Sequence, residues 1–211
     1  MFVDIYKRQW ELFKNHYAKP TALIALISIV IAFFSFFVLM VFQDLLIEIT
    51  DELFMHFEEL GVNPNTSHSE LFLIVLVNNL RVSGFMVLLG FIPIIVLPAI
   101  SGVVTSISVS MILALFNTFD LYPVQTLIYG ILPHGIIELF AIYLAGGIGV
   151  FLSLNMFKKI FSSKRAEINI GIIIKDSIIS YLIVVAPLII LAAVIEGFVT
   201  PVLIDNFHPG L

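Results

Sequence analysis

A run of 22 residues without a charged side chain, Thr21 to Phe42, limits the folds open to this chain more than any other feature. A helix of about 20 apolar residues crosses the hydrocarbon core of a bilayer. The whole composition agrees, because 60% of the 211 residues are hydrophobic and only 12% are charged, against about 25% charged in soluble domains. The sequence therefore predicts one integral membrane domain over residues 1–211, an all-α, polytopic transmembrane helical bundle.

Five stretches are apolar and long enough to span. Phe91-Ile92-Pro93 divides the long apolar tract after residue 70 into two spans. Residues 124–132 are too short to span alone, so we expect a re-entrant or interfacial piece leading into a helix break at Pro133. The predicted spans are about 21–43, 71–91, 94–116, 134–157 (the broken span 4) and 177–199.

The segment before span 1 has its own helical pattern. Aromatic residues recur every three or four positions over residues 2–18, with basic residues between them. This pattern predicts an amphipathic helix lying in the headgroup plane, and a helix packed on the bundle is the alternative. No apolar core typical of a signal peptide occurs there, so we expect span 1 to be an uncleaved anchor.

The basic residues predict the orientation. Of ten Lys and Arg, four precede span 1, five lie between spans 4 and 5, and the tenth is Arg81. Five spans bring both basic groups to one side, whereas six would separate them. By the positive-inside rule we expect a multi-pass protein of the cell membrane, with a cytoplasmic N-terminus and an outside C-terminus.

Polar residues inside spans are costly and need partners. We expect them to form a buried network between spans 2, 4 and 5, in which Arg81 pairs with a carboxylate. In one interpretation the network only fixes how the spans dock; in the other it handles a proton or a cation, or lines a polar cavity. The predicted members are Asn78, Asn79, Arg81, His134, Glu138 and Glu196.

Span 4 combines this chemistry with a packing face. Pro133 and Gly135 predict the helix break. His134 and Glu138 are four residues apart and so share a helical face. Small residues continue that face and let another helix approach closely; they are Ala141, Ala145 and Gly149.

Signatures of catalysis are missing from the sequence. It has no cysteine, no nucleophile elbow, no P-loop and no paired-histidine zinc helix. His134, Glu138 and Glu196 are weak metal candidates, because a His with a Glu four residues on needs a third ligand. We therefore expect no enzyme activity, no cofactor and no nucleic-acid partner.

Three motifs together resemble the stage II sporulation protein M family of integral membrane proteins. They are Asn78-Asn79-Leu-Arg81, Leu132-Pro-His-Gly-Ile-Ile-Glu138 and Ile195-Glu-Gly-Phe-Val-Thr-Pro201, and the resemblance covers about residues 20–202. It implies five spans and, in spore formers, a scaffold holding peptidoglycan-degrading partners. The residues carried over by the resemblance are Asn78, Asn79, Pro133, His134, Gly135, Glu138, Glu196, Thr200 and Pro201.

The sequence suggests two leading hypotheses for the function. The first is a scaffold or assembly protein that positions partners at the cell membrane, with the lipid bilayer and membrane or envelope proteins as partners. Its recruiting surface would be the acidic residues 44–70 or the small-residue faces, which also allow a homo-oligomer. The alternative is a permease-like or channel-like subunit whose polar path is lined by His134, Glu138, Glu196 and Arg81. An intramembrane metal-dependent hydrolase is a third, weaker alternative.

Overall fold

The computed structural model describes residues 2–62, 66–163 and 165–207. Within these residues the chain is almost entirely helical and has no β-strand, and five of its helices are long and apolar enough to cross a membrane. The helices are α1 (Asp4–Val41), α2 (Gln43–Glu59), α3 (His68–Leu89), α4 (Leu97–Thr118), α5 (Pro123–Phe161) and α6 (Ile170–Phe207), with a 3₁₀ turn at Arg165–Glu167.

The all-α, five-span bundle predicted from the sequence is confirmed. Local signals set several helix ends. Helix α3 begins with a capping box, in which Glu70 N–H donates to Ser67 Oγ at 3.4 Å and Ser67 N–H donates to the Glu70 carboxylate at 2.9 Å. Pro98 lies in the first turn of α4, where its missing N–H costs no hydrogen bond.

Helix α5 is the centre of the bundle. In its most apolar stretch 61% of the residues are buried, against 17–28% in the other four spanning helices. It packs against α1, α3, α4 and α6, and residues 141–149 are all buried. The other helices therefore surround α5 and turn most of their apolar surface outward, as expected for a bundle solvated by lipid.

The predicted break at Pro133 is wrong. Helix α5 runs from Pro123 to Phe161 without interruption, and the predicted re-entrant piece is its first part. A π-helical turn, Thr126–Ile131, precedes the proline, and Leu132 N–H donates to the Leu127 carbonyl five residues back. A proline ring clashes with the carbonyl four residues back. The wider turn displaces that carbonyl, so the helix continues.

The same distortion recurs, in the described chain, at each proline that lies beyond the first turn of a spanning helix. π-Helical turns Phe13–Tyr17, Tyr181–Val185 and Ile195–Val199 precede Pro20, Pro187 and Pro201. Since backbone groups cannot be left unpaired in lipid, a widened turn that keeps them bonded is a better solution than a break. A proline beyond the first turn of a spanning helix therefore marks a π turn in this chain, not a helix end.

The N-terminal segment is helical, but it is continuous with the first span. Phe2–Leu12 leads through the π turn Phe13–Tyr17 into Ala18–Val41. Its Arg8 and Gln9 side chains bond to α6, which matches the alternative of a helix packed on the bundle. Tyr6 and Trp10 stay largely exposed, and their placement in the headgroup plane remains a prediction.

Helix α2 is the one long described helix that is not a candidate span. It follows α1 after a single residue and lies against α1 and α4. A narrow apolar stripe holds it there, because Leu46 and the Thr50 side chain are buried while most other residues are exposed.

Candidate functional site

The structure brings three ionisable side chains together where α5 and α6 meet. His134 and Glu138 come from α5, and Glu196 comes from α6. One ligand-type atom from each, a ring nitrogen or a carboxylate oxygen, lies within 4.8 Å of the others. All three residues are half-buried, so the cluster, here called the His–Glu–Glu cluster, is reachable from the protein surface.

Local hydrogen bonds orient the histidine. His134 Nδ1 lies 3.2 Å from Thr200 Oγ1, and Thr200 is buried. The other ring nitrogen, Nε2, lies 3.7 Å from Glu196 Oε2. A bond between Nδ1 and the hydroxyl therefore leaves Nε2 directed at the carboxylate, which is how an outer partner selects the nitrogen that is free to bind.

The helix distortions described above shape this cluster. Glu196 belongs to the π turn Ile195–Val199, and His134 follows the π turn Thr126–Ile131 within three residues. Such turns shift the residues around them on the helix surface and are frequent at functional sites. The first part of α5 and the last part of α6 pack on each other at these turns.

Helix α3 closes one side of the cluster. Gly197, next to Glu196, is buried against Phe72, where an added Cβ would lie 2.8 Å from Phe72 Cβ. His68 Nδ1 lies 3.1 Å from the Gly197 carbonyl oxygen. Gly197 is therefore the residue that lets α3 approach α6 beside the cluster.

Asn79 of α3 faces the cluster. Its side chain is buried and interacts with the Glu138 carboxylate. Asn78 donates to the Asn79 amide oxygen at 3.3 Å, so the predicted pair of asparagines lies beside the acid. Of the six predicted network members, the structure places five in one region of the bundle.

Arg81 does not join them, and its predicted pairing with a carboxylate is wrong. The residue is exposed, and among the described residues it makes no ion pair. The reason is helical periodicity: each residue advances about 100°, so Arg81 is about 200° around α3 from Asn79. The inward stripe of α3 continues instead through Ser83 and Met86, both fully buried.

The packing face of α5 is buried as a continuous surface. Ala141 and Ala145 are inaccessible, and an added Cβ at Gly149 would overlap the Met86 carbonyl and lie 2.7 Å from Pro98 Cβ. Gly135, two residues after Pro133, is also buried, but a Cβ there would meet only Ile131 of the same helix. Gly149 is the position that brings α3 and the start of α4 against α5.

A second polar cluster joins the N-terminal segment to α6, and sequence reasoning did not find it. Arg8 donates to both oxygens of Asp176 at 2.7 and 2.8 Å. Ser180 Oγ lies 2.5 Å from Gln9 Oε1 and 3.2 Å from the Tyr17 hydroxyl. One sequence signal could have indicated this cluster. Asp176 is an isolated acid at the start of an apolar stretch, where a charged side chain needs a partner.

The His–Glu–Glu cluster can bind a proton or a metal cation. It has two carboxylates and one imidazole, and no Lys or Arg of the described chain is paired with it. Two ionised carboxylates close to an imidazole nitrogen lone pair repel one another, so the arrangement is unfavourable unless a proton or a cation binds between them. The alternative transport path was predicted to be lined by Arg81 together with these three residues, and the structure leaves Arg81 exposed and away from them.

Four apolar helices around a fifth, buried central helix, with a partly exposed polar cluster between the central helix and α6, define a polytopic α-helical membrane protein. The family model described as "Stage II sporulation protein M" matches residues 21–201. The chain therefore belongs to the stage II sporulation protein M family, as its motifs suggested, and this is not a known enzyme family. No curated protein and no solved structure matches the chain.

Proposed function

We propose that this protein is a membrane scaffold that holds a partner protein at the cell membrane through helix α2. The family membership and the five spans support a membrane-embedded role without catalysis. The single observation that carries the proposal is how α2 packs on the bundle. One narrow face of the helix is buried, and the opposite face is acidic and exposed.

The buried face of α2 is small. Leu46 packs with Leu39, Met111 and Ala114 in one hydrophobic cluster, with Ile49 and Leu53 at its edge. Four positions spaced three or four residues apart, 46, 49, 50 and 53, form this stripe. The stripe uses less than half of the circumference, so it fixes α2 and leaves the rest of the helix available.

The exposed face of α2 is anionic with apolar patches. Glu48, Asp51 and Glu52 lie on the side of the helix away from Leu46 and are exposed, and residues 43–62 contain no Lys or Arg. Phe54 and Met55 are more than half exposed. An acidic face with exposed apolar side chains is complementary to a protein that has a basic segment and apolar anchors.

The charge distribution supports an orientation for this surface. Four of ten basic residues precede the first span and five lie between residues 158 and 175. Five crossings place both groups on the side opposite to α2. The positive-inside rule then assigns the basic side to the cytoplasm. The proposed partner is therefore a membrane or envelope protein with a basic segment outside the cytoplasm.

Site-specific photocrosslinking in native membranes tests this proposal. A photoreactive amino acid at Asp51 or Phe54 is expected to give one discrete protein adduct after illumination. The matched control is Val104 of α4, which is 55% exposed on a spanning helix and so faces lipid. The adduct at position 51 should weaken in the Glu48→Lys variant, because a like charge then faces the basic partner.

Two results would overturn the scaffold proposal. One is the lack of any protein adduct at both α2 positions while the chain is present at normal levels. The other is an adduct that mass spectrometry identifies as a second copy of this chain, which would make α2 a self-association surface.

A further inference from the structure

We propose that the His–Glu–Glu cluster binds one divalent transition-metal ion, of the class represented by zinc, between α5 and α6. The three ligands are His134, Glu138 and Glu196. This inference does not rest on the scaffold proposal, because the ligands lie on α5 and α6 and the docking surface lies on α2.

The distances fit a shared ion better than direct hydrogen bonds. His134 Nε2 and Glu196 Oε2 are 3.7 Å apart, beyond the range of about 2.7–3.2 Å for a hydrogen bond. Two ligands each about 2.0–2.2 Å from a tetrahedral ion are about 3.3–3.6 Å apart. All three ligand atoms already lie within 4.8 Å of one another, so side-chain movements of about one ångström complete the site.

Groups around the ligands are arranged as at metal sites. Thr200 Oγ1 lies 3.2 Å from His134 Nδ1, which leaves Nε2 as the coordinating atom. Asn79 interacts with the Glu138 carboxylate from the α3 side. Outer partners of this kind fix the histidine tautomer and the direction of the carboxylate.

The charge of the cluster calls for a dication. Glu138 and Glu196 lie side by side within spanning helices, and Arg81, the one basic residue of the middle of α3, is exposed and unpaired among the described residues. Two ionised carboxylates with a neutral imidazole carry a charge that a divalent ion neutralises. An uncompensated charge inside the membrane is strongly unfavourable.

The donor set selects the class of ion. One imidazole with two carboxylates suits zinc, manganese or iron, whereas calcium takes six to eight oxygens and magnesium keeps most of its water. The chain has no cysteine to favour a thiolate-bound metal. Three protein ligands leave a fourth position to water or to a group from a partner.

Metal binding to the pure protein tests the inference directly. The full chain, purified in detergent with a tag that contains no histidine, is stripped with chelator and titrated with zinc chloride; metal content after gel filtration is measured by mass spectrometry. We expect one zinc per chain. Cobalt chloride should give the visible absorption bands of a low-coordinate site, a readout that reports geometry rather than bulk affinity.

Substitutions identify the ligands. Glu196→Gln and His134→Gln keep the size of the side chains and should each weaken zinc binding by at least about tenfold. Glu167→Gln, which changes an exposed acid of the 3₁₀ turn Arg165–Glu167, is the matched control and should keep one zinc per chain. Circular dichroism and gel-filtration profiles verify that the variants remain folded.

The inference is overturned if the wild-type chain retains less than a tenth of an equivalent of zinc, or if both ligand variants bind as the wild type does. Photocrosslinking at Asp51 is unaffected by either result, so failure of the metal site and failure of the scaffold proposal are distinguishable.

Discussion

Gly149→Ala is the sharpest test of how tightly the central helix is packed. An added Cβ would overlap the Met86 carbonyl oxygen and lie 2.7 Å from Pro98 Cβ, and the Gly149 carbonyl already lies 2.6 Å from where a Cβ on Gly90 would stand. None of these atoms belongs to a flexible side chain. The helices must separate for the methyl group to fit, so no rotamer change can absorb the substitution.

The magnitude follows from two opposed effects. Overpacking typically costs about 1–3 kcal/mol, and the rigid neighbours at Gly149 place it near the upper end, about 3 kcal/mol. Replacing a helical glycine by alanine recovers up to about 1 kcal/mol of helix propensity. We therefore expect a net loss of about 2 kcal/mol, a factor of about 30 in the unfolding equilibrium constant.

Reversible unfolding in mixed micelles, with increasing SDS and far-UV circular dichroism as the probe, measures this free energy. Gly130→Ala is the control, since a Cβ there would meet Thr126 and Ile204 at ordinary distances of 3.7 and 3.9 Å. That variant should be as stable as the wild type or slightly more stable. A Gly149→Ala protein within about 0.5 kcal/mol of the wild type would refute the close approach of α3, α4 and α5.

Three further predictions concern other parts of the molecule. Leu46→Ala should weaken the docking of α2 by about 2–5 kcal/mol, because Leu46 is fully buried, and limited proteolysis should then cleave near α2 first. Asp176→Asn should cost about 1 kcal/mol in SDS unfolding, since its partner Arg8 is largely exposed, whereas Lys14→Gln should leave the unfolding curve unchanged. Because the chain has no cysteine, the single variants Ser163→Cys and Glu48→Cys can each be labelled with an impermeant maleimide. We expect the two positions to be labelled from opposite sides of the membrane. Labelling from the same side would refute the five-crossing topology.

Part of the candidate site could be predicted from the sequence. His134 and Glu138 share a face because four residues are close to one helical turn, and the structure keeps them together. The inclusion of Glu196 followed from counting charges within spans, since each needs a partner. The same count included Arg81, although the 3.6-residue period already separates it from Asn79.

Two features of the structure escaped prediction. The π turns before Pro133 and Pro201 keep the helices continuous, whereas the rule that a proline ends or begins a helix predicted a break. The bonds from Arg8 to Asp176 link residues 168 positions apart, and no local pattern marks such a pair.

The sequence by itself determined that this chain has five helices able to cross a bilayer, because the requirement for long, apolar stretches is local and each span meets it alone. The tertiary structure decided which polar groups meet, since the rotation of each helix depends on where small residues admit a neighbour. Gly149 and Gly197 set those contacts. The resulting rotation of α3 directs Asn79 towards Glu138 and leaves Arg81 exposed. Hydropathy identifies a spanning helix but does not predict its rotation within the bundle.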